Sequence, residues 1–99
     1  MTFNPVTSFT IRGTRIAARI AGDPEKPAIL LIHGFPSSSR MFRHVMEDVS
    51  AVSYVIAPDL PGFGASDVVD KPTFACFADM IEDLLEQLGT QSFYLYLHD

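Results

Sequence analysis

The chain has a single cysteine, few basic residues and no long apolar run. Cys76 on its own cannot form an internal disulfide, which fits a reducing compartment. Seven Lys and Arg against twelve Asp and Glu leave a formal charge of −5. No basic patch is then available for the counterion release on which nucleic-acid binding depends, so a nucleic-acid partner is excluded. The same deficit argues against an anionic membrane surface. No apolar run approaches the roughly 20 residues that cross a bilayer. The opening MTFNPVTSFT has neither the basic start nor the apolar stretch of a secretory signal. A cytoplasmic location is the expectation. Repeats and low-complexity tracts are missing, and His, Cys, Asp and Glu show no metal-ligand spacing. Neither a metal nor any other cofactor is expected.

Hydrophobic residues make up 47% of the 99 residues, eight of them Phe, which is material for one domain with a real core. Two β-prone stretches, Ser8 to Thr14 and Arg15 to Ala21, separate at Gly13 as an antiparallel hairpin. GDPEKP at Gly22 to Pro27 is turn chemistry. Ala28 to Ile32, AILLI, is apolar on both faces, as in the middle of a covered parallel sheet. Met41, Phe42, Val45, Met46 and Val49 then fall on one helical stripe. Tyr54 to Ala57 is a short strand. Phe74, Phe77, Ala78, Ile81, Leu84, Leu85 and Leu88 predict a second amphipathic helix over about Thr73 to Leu88, stopped at Gly89. Ser92 to Leu97 is the last strand. The order is a hairpin followed by βαβαβ, which predicts an α/β fold with a parallel sheet and right-handed crossovers. A second crossover running back past the first places the two helices on opposite faces, a three-layer αβα arrangement.

Open sheets of this kind put their chemistry at the carboxyl ends of the strands. The first such loop is His33-Gly34-Phe35-Pro36. Gly34 permits a sharp turn and Pro36 has no N–H, which leaves the Phe35 N–H as half of an oxyanion hole, or the loop as an ordinary turn. The second, DLPGFGASD, has Gly62-x-Gly64 but no third Gly, Lys or Thr at phosphate-cradle spacing. A loop organised by Asp59, Gly62 and Gly64 is the reading there. The third tip is His98-Asp99. Neighbours on a strand point to opposite faces, so these two cannot serve as base and orienter for each other. Asp99 on a strand-to-helix turn beside a fixed N–H is a candidate nucleophile, because carboxylates form covalent intermediates. It is otherwise a polar residue leaving a strand. His44 reads as solvated, Cys76 as a plain thiol, Ser37 to Ser39 as caps, and Tyr54, Tyr94 and Tyr96 as packed rings.

Taken in order, HGFP, DLPGFGASD and HD resemble the amino-terminal part of α/β-hydrolase-fold enzymes, in particular the branch with an aspartate nucleophile. That branch holds epoxide hydrolases, haloalkane dehalogenases and haloacetate dehalogenases. The resemblance implies that Asp99 is the nucleophile and that Phe35 supplies an oxyanion N–H. His33, Gly34, Pro36, Asp59, Gly62, Gly64 and His98 support the loops. Leu97 stands where the elbow pattern has a small residue. Phe35 stands where haloalkane dehalogenases have a halide-binding Asn, which tilts the substrate towards an epoxide or a haloacid. The second oxyanion donor, the catalytic His, its acid, the cap and the carboxyl-terminal half are not among these residues. Residues 1–99 are therefore expected to be the front of a single hydrolase core, inactive alone, with a small epoxide or organohalide as the whole enzyme's substrate. The alternatives are a short α/β interaction module without catalysis, or part of an esterase or carbon–carbon hydrolase of the same fold. An uncovered final strand is expected to make the isolated chain self-associate.

Overall fold

In the computed structural model, which describes residues 6–34, 37–70 and 72–97, the hairpin is built around two left-handed residues. Arg12 and Gly13 hold φ of 52° and 77°. Positive φ at both central positions gives the tight turn whose twist matches the strands it joins. The strands are β1, Val6–Ile11, and β2, Thr14–Ala21, with Ile11 opposite Thr14 and Val6 opposite Arg19. The turn therefore uses Arg12 as well as Gly13, and Thr14 opens β2 where the sequence reading closed β1 on it.

Three parallel strands follow: β3, Ala28–Ile32; β4, Tyr54–Pro58; and β5, Phe93–Leu97. The sheet order is β1-β2-β4-β3-β5, with β2 antiparallel to β4 and β3 parallel to both β4 and β5. Side chains of β4 alternate between two cores, as the two-residue period of a strand requires. Val55 and Ala57 pack with Leu31, Phe42 and Met46 on one face. Tyr54 and Ile56 pack with Leu30, Ile81 and Leu85 on the other. The two crossovers run in opposite directions along the sheet, and their helical segments lie on opposite faces, so the expected three-layer α/β architecture is present.

The segment between β3 and β4 differs from the single amphipathic helix that its stripe predicts. It is a 3₁₀ turn, Ser39–Phe42, and a separate short helix α1, Met46–Ser50. Tight bonds bridge them, Arg43 N–H to Arg40 C=O at 3.1 Å and Val45 N–H to Phe42 C=O at 3.0 Å. The cause lies at the front: Ser39 is pinned to the loop after β4, as described below, and the segment must still reach the sheet with Phe42 and Met46. A 3₁₀ turn rises more per residue than an α-helix and covers that distance. Phe42 and Met46 are buried as expected, but Val45 is left 47% exposed.

The helix α2, Phe74–Gln87, is capped at both ends. Thr73 Oγ1 accepts the Cys76 N–H at 3.1 Å. At the other end Gly89, φ 72°, gives its N–H to Glu86 C=O at 3.0 Å, while the Thr90 N–H reaches Leu85 C=O at 2.9 Å. This double closure is the usual glycine stop. Met80, Ile81, Leu84 and Leu85 form the buried stripe. Met80 was not in the predicted stripe; it joins because α2 also covers the hairpin, against Ile11, Ile16 and Ala18. Phe74 and Ala78 were predicted inside and are exposed, Phe74 by 92%. They lie on the side of α2 that overhangs β5, where no described element covers them.

Candidate functional site

The parallel register brings the carboxyl ends of β3, β4 and β5 to one edge of the sheet, with Ile32 directly beside Leu97. Of the residues singled out there, Phe35, Pro36, His98 and Asp99 lie outside the described residues. His33, Gly34, Asp59, Gly62 and Gly64 lie within them, and they form the scaffold of the first two loops.

His33 is 3% exposed. Its Nε2 accepts the Leu60 N–H at 2.9 Å, and its Nδ1 lies 3.0 Å from the Gly34 carbonyl oxygen. An N–H can only be met by an acceptor, so Nε2 carries a lone pair and Nδ1 carries the proton that it donates to Gly34. The ring thereby ties the first loop to the second. The edge of Phe63 packs on it, with centroids 5.5 Å apart.

Asp59 is 2% exposed and fully engaged. Oδ1 accepts the Ser39 N–H at 2.6 Å and Oδ2 the Ala65 N–H at 2.9 Å. Ser66 closes the back of the loop: its hydroxyl donates to Asp59 C=O at 2.6 Å and accepts the Ala17 N–H at 2.9 Å. The countercharge for the buried carboxylate comes from Arg19 on β2, whose Nε donates to Ser39 Oγ at 3.1 Å. Burial lowers the Arg19 pKa from its ordinary value; the charge of Asp59 opposes this and that of Arg40 adds to it. Arg19 and Asp59 thus grip Ser39 from two sides and set where the first loop turns into its helical segment.

Both candidates expected to be supporting have their polar atoms committed to the protein's own backbone. That leaves them as positioning groups. Sequence reasoning missed Arg19, Ser39 and Ser66. Ser38 is a cap, accepting the Arg40 N–H at 3.2 Å, but Ser39 is buried and belongs to the clamp. Arg19, the second arginine of TRIAARIA and set between Ala18 and Ile20, was the available signal, because a cation in such a strand needs a partner.

Gly64 makes the second loop possible. Its φ is 54°, and a Cβ there would lie 2.3 Å from Asp59 Oδ2 and 2.4 Å from its Cγ. The carboxylate cannot move without releasing Ser39 and Ala65. Gly64→Ala is expected to lower stability by roughly 2–3 kcal/mol, summing left-handed strain and overpacking. Gly62→Ala, at φ 88° with its nearest neighbour 4.0 Å away, should carry only the strain, roughly 1 kcal/mol. Urea unfolding of both variants at equal protein concentration checks the difference.

Beside the tips an apolar cleft of about 910 Å³ runs between α2 and β5. Phe74, Phe77, Phe93, Leu95 and Leu97 line it, with His33 and Gly34 at its end. His44 is exposed and Cys76 half-buried. Tyr54 is buried as expected, whereas Tyr94 is 73% exposed and Tyr96 49%. They belong to an edge strand whose outward side no described element covers. No group of three or more His, Cys, Asp or Glu able to hold a metal occurs among the described residues, and none of the described helices is long and apolar enough to cross a membrane.

Residues 27–99 match the family described as alpha/beta hydrolase fold. The chain is 40% identical over 93 residues to a haloalkane dehalogenase of Bradyrhizobium diazoefficiens, covering 90% of this chain and 29% of the relative. It is 36% identical over 98 residues to epoxide hydrolase 3 of Siraitia grosvenorii, covering 95% and 31%. The crystal structure of a haloalkane dehalogenase from Bradyrhizobium elkani superposes with a TM-score of 0.88 at 35% identity, over 96% of this chain and 33% of that one. The chain thus spans about a third of the length of these relatives.

Proposed function

The chain belongs to the α/β-hydrolase-fold family, and from that premise we propose that it is the amino-terminal part of a hydrolase working through an aspartyl ester on Asp99. Relatives named haloalkane dehalogenase and epoxide hydrolase support a small-molecule hydrolase. In the proposed reaction the Asp99 carboxylate attacks a carbon bearing halide or epoxide oxygen. A carbon–oxygen ester bond forms as the carbon–halogen or carbon–oxygen bond breaks, and the leaving group departs with the electron pair. Water then attacks the ester carbonyl, returning the carboxylate and releasing the alcohol or diol. The Phe35 N–H is proposed to hold the oxyanion of that second step.

The observation that carries this reading is the pairing of Ile32 with Leu97. It sets the end of β5, which precedes Asp99 in sequence, beside the end of β3, which precedes the His33 loop, and this supports the reading. Serine esterases of this fold carry serine at the elbow, and position 99 is Asp, which favours the ester-forming branch. The 99 residues alone are proposed to be inactive, because the second oxyanion donor, the water-activating histidine and its acid are expected outside this segment. A right-handed crossover to a further strand beyond β5 would lay its helix on the α2 face, over the cleft. A single free cysteine accords with a cytoplasmic location.

A chimera tests the assignment: this chain replaces the matching segment of epoxide hydrolase 3 of Siraitia grosvenorii. Epoxide turnover is expected, and Asp99→Asn should reduce it by at least about a thousandfold. Retained turnover in the Asn variant of a folded chimera would remove Asp99 from the nucleophile's role. The chain by itself should turn over neither epoxides nor organohalides.

A further inference from the structure

We propose that Arg19 is a positioning residue of the reaction: through Ser39 it sets the first loop for hydrolysis of the covalent ester, and not for formation of that ester. This role rests on Asp99 as nucleophile and Phe35 as oxyanion donor, the reading already proposed. It adds a residue of β2, with β4 and β3 between it and β5.

Arg19 is costly where it stands. Side chains two apart on a strand share a face, and on this face Ala17 and Ala21 are buried. Burial lowers the Arg19 pKa from its ordinary value. An apolar residue would join the core that Ala21 shares with Leu31, Phe42 and Met46 without that cost. The guanidinium instead donates from Nε to Ser39 Oγ at 3.1 Å.

That bond holds an atom which Asp59 does not. The carboxylate takes the Ser39 N–H at 2.6 Å, and Arg19 takes the side chain. One bond would let residue 39 swing about it. Two bonds to different atoms, from β2 and from the end of β4, fix its orientation as well as its place. Ser39 opens the 3₁₀ turn that Ser38 caps. At the other end of the loop His33 accepts the Leu60 N–H at 2.9 Å. Phe35 lies between these two anchors in sequence, so their placement limits where its N–H can reach.

The chemistry then separates the two steps. As the ester forms, charge leaves the Asp99 carboxylate for the epoxide oxygen, and no oxyanion develops at the ester carbonyl. As water adds, the carbonyl electron pair moves onto its oxygen, and that charge is what the Phe35 N–H meets in the proposed reaction. Collapse returns the carboxylate and expels the diol oxygen, which takes up a proton that the attacking water lost. Removing one oxyanion donor costs about a hundred- to a thousandfold. Displacing one should cost less, about ten- to a hundredfold.

The chimera with epoxide hydrolase 3 tests this, with styrene oxide as the probe and the ester followed by rapid acid quench and intact mass. Arg19→Met keeps the length of the side chain and removes its charge and its donor. Arg19→Gln places an amide N–H as many bonds from the backbone as Nε, without the charge. Ser39→Ala removes the acceptor and leaves the backbone N–H for Asp59. Arg19→Met and Ser39→Ala should each slow decay of the ester by about ten- to a hundredfold and leave its formation within about twofold, so that the ester accumulates. Arg19→Gln should recover most of the decay rate. The Arg19→Met/Ser39→Ala double variant should be no slower than the slower single one, because both cut the same bond. Gly13→Ala, whose strain falls on the hairpin turn, should move neither step. Should Arg19→Met not fold, Ser39→Ala against Arg19→Gln makes the same comparison. Formation and decay slowed alike, Arg19→Gln as slow as Arg19→Met, or an equal slowing by Gly13→Ala would overturn the proposal. An active chimera that forms no ester would overturn the Asp99 reading and this role with it. An ester that forms and decays at the parent's rates in every variant would overturn the role of Arg19 alone.

Discussion

Asp59→Ala is expected to lower the stability of the chain by about 3 kcal/mol. The Ser39 N–H, which donates to this carboxylate at 2.6 Å, belongs to a residue with no solvent exposure. Without the carboxylate it stays buried and unsatisfied, at about 1–3 kcal/mol. Arg19, half-buried and bonded to Ser39 Oγ, simultaneously loses the favourable field of the carboxylate, a smaller additional cost. The Ala65 N–H at 2.9 Å contributes less, because Ala65 is exposed and water can replace the lost acceptor. That asymmetry orders a second variant. Asp59→Asn can keep its amide oxygen on the Ser39 N–H and turn its NH₂ towards Ala65, so it should cost only about 1 kcal/mol. Thermal unfolding of the two variants at one protein concentration measures the gap. If Asp59→Asn proved as damaging as Asp59→Ala, the Arg19 charge would be the dominant partner and the Ser39 bond secondary.

The same residues mark how much of this molecule can be read from its sequence. The alternation of strands and helices, and the placement of the helices on opposite faces, follow from local periodicity. AILLI and YVIA are short apolar runs between turn residues, and the stripe of α2 repeats at helical spacing. The motifs after β3 and β4 marked the first two loops, and the order of all three led to the family. Other features depend on partners distant in the chain. The predicted helix after His33 divides because Ser39 is held from residues 20 positions away on either side, by Arg19 and by Asp59. No window of sequence contains that contact. Periodicity also reports which side chains are apolar, not which are covered. Phe74 and Ala78 satisfy the helical pattern, and Tyr94 the strand pattern, yet all three face outward beside β5, the outermost of the described strands on that side. Their exposure is the same observation as the open edge, seen from the side chains.

Gly22 supplies the other large effect, at the opposite end of the sheet. It follows the last residue of β2 with φ 93°, in the region where side chains are strained. The space around it is occupied by backbone: a Cβ would lie 2.2 Å from the Ser53 carbonyl oxygen and 3.0 Å from that of Ser50. These belong to the segment that ends α1 and enters β4, and the Ser53 N–H is itself bonded to Val49 C=O at 3.0 Å. No rotamer change relieves such a contact; the strand and the helix end must separate. Strain and overpacking together predict a loss of about 3–5 kcal/mol for Gly22→Ala. That approaches the whole stability of many domains of this size. Gly13→Ala is the control. Its φ of 77° imposes comparable strain but nothing lies within 4 Å, so it should cost about 1 kcal/mol. Because Ala21 pairs with Val55 while Ala18 pairs with Pro58, Gly22, just past the end of β2, sits four residues from the level of the tips. A partly destabilised Gly22 variant should therefore keep the Arg19–Ser39–Asp59 clamp in its native fraction, with the Ser39 amide proton still shifted by its short bond to the carboxylate. Equal losses in Gly22→Ala and Gly13→Ala would mean that the Ser53 carbonyl gives way, and that the junction of β2 with α1 is softer than its packing implies.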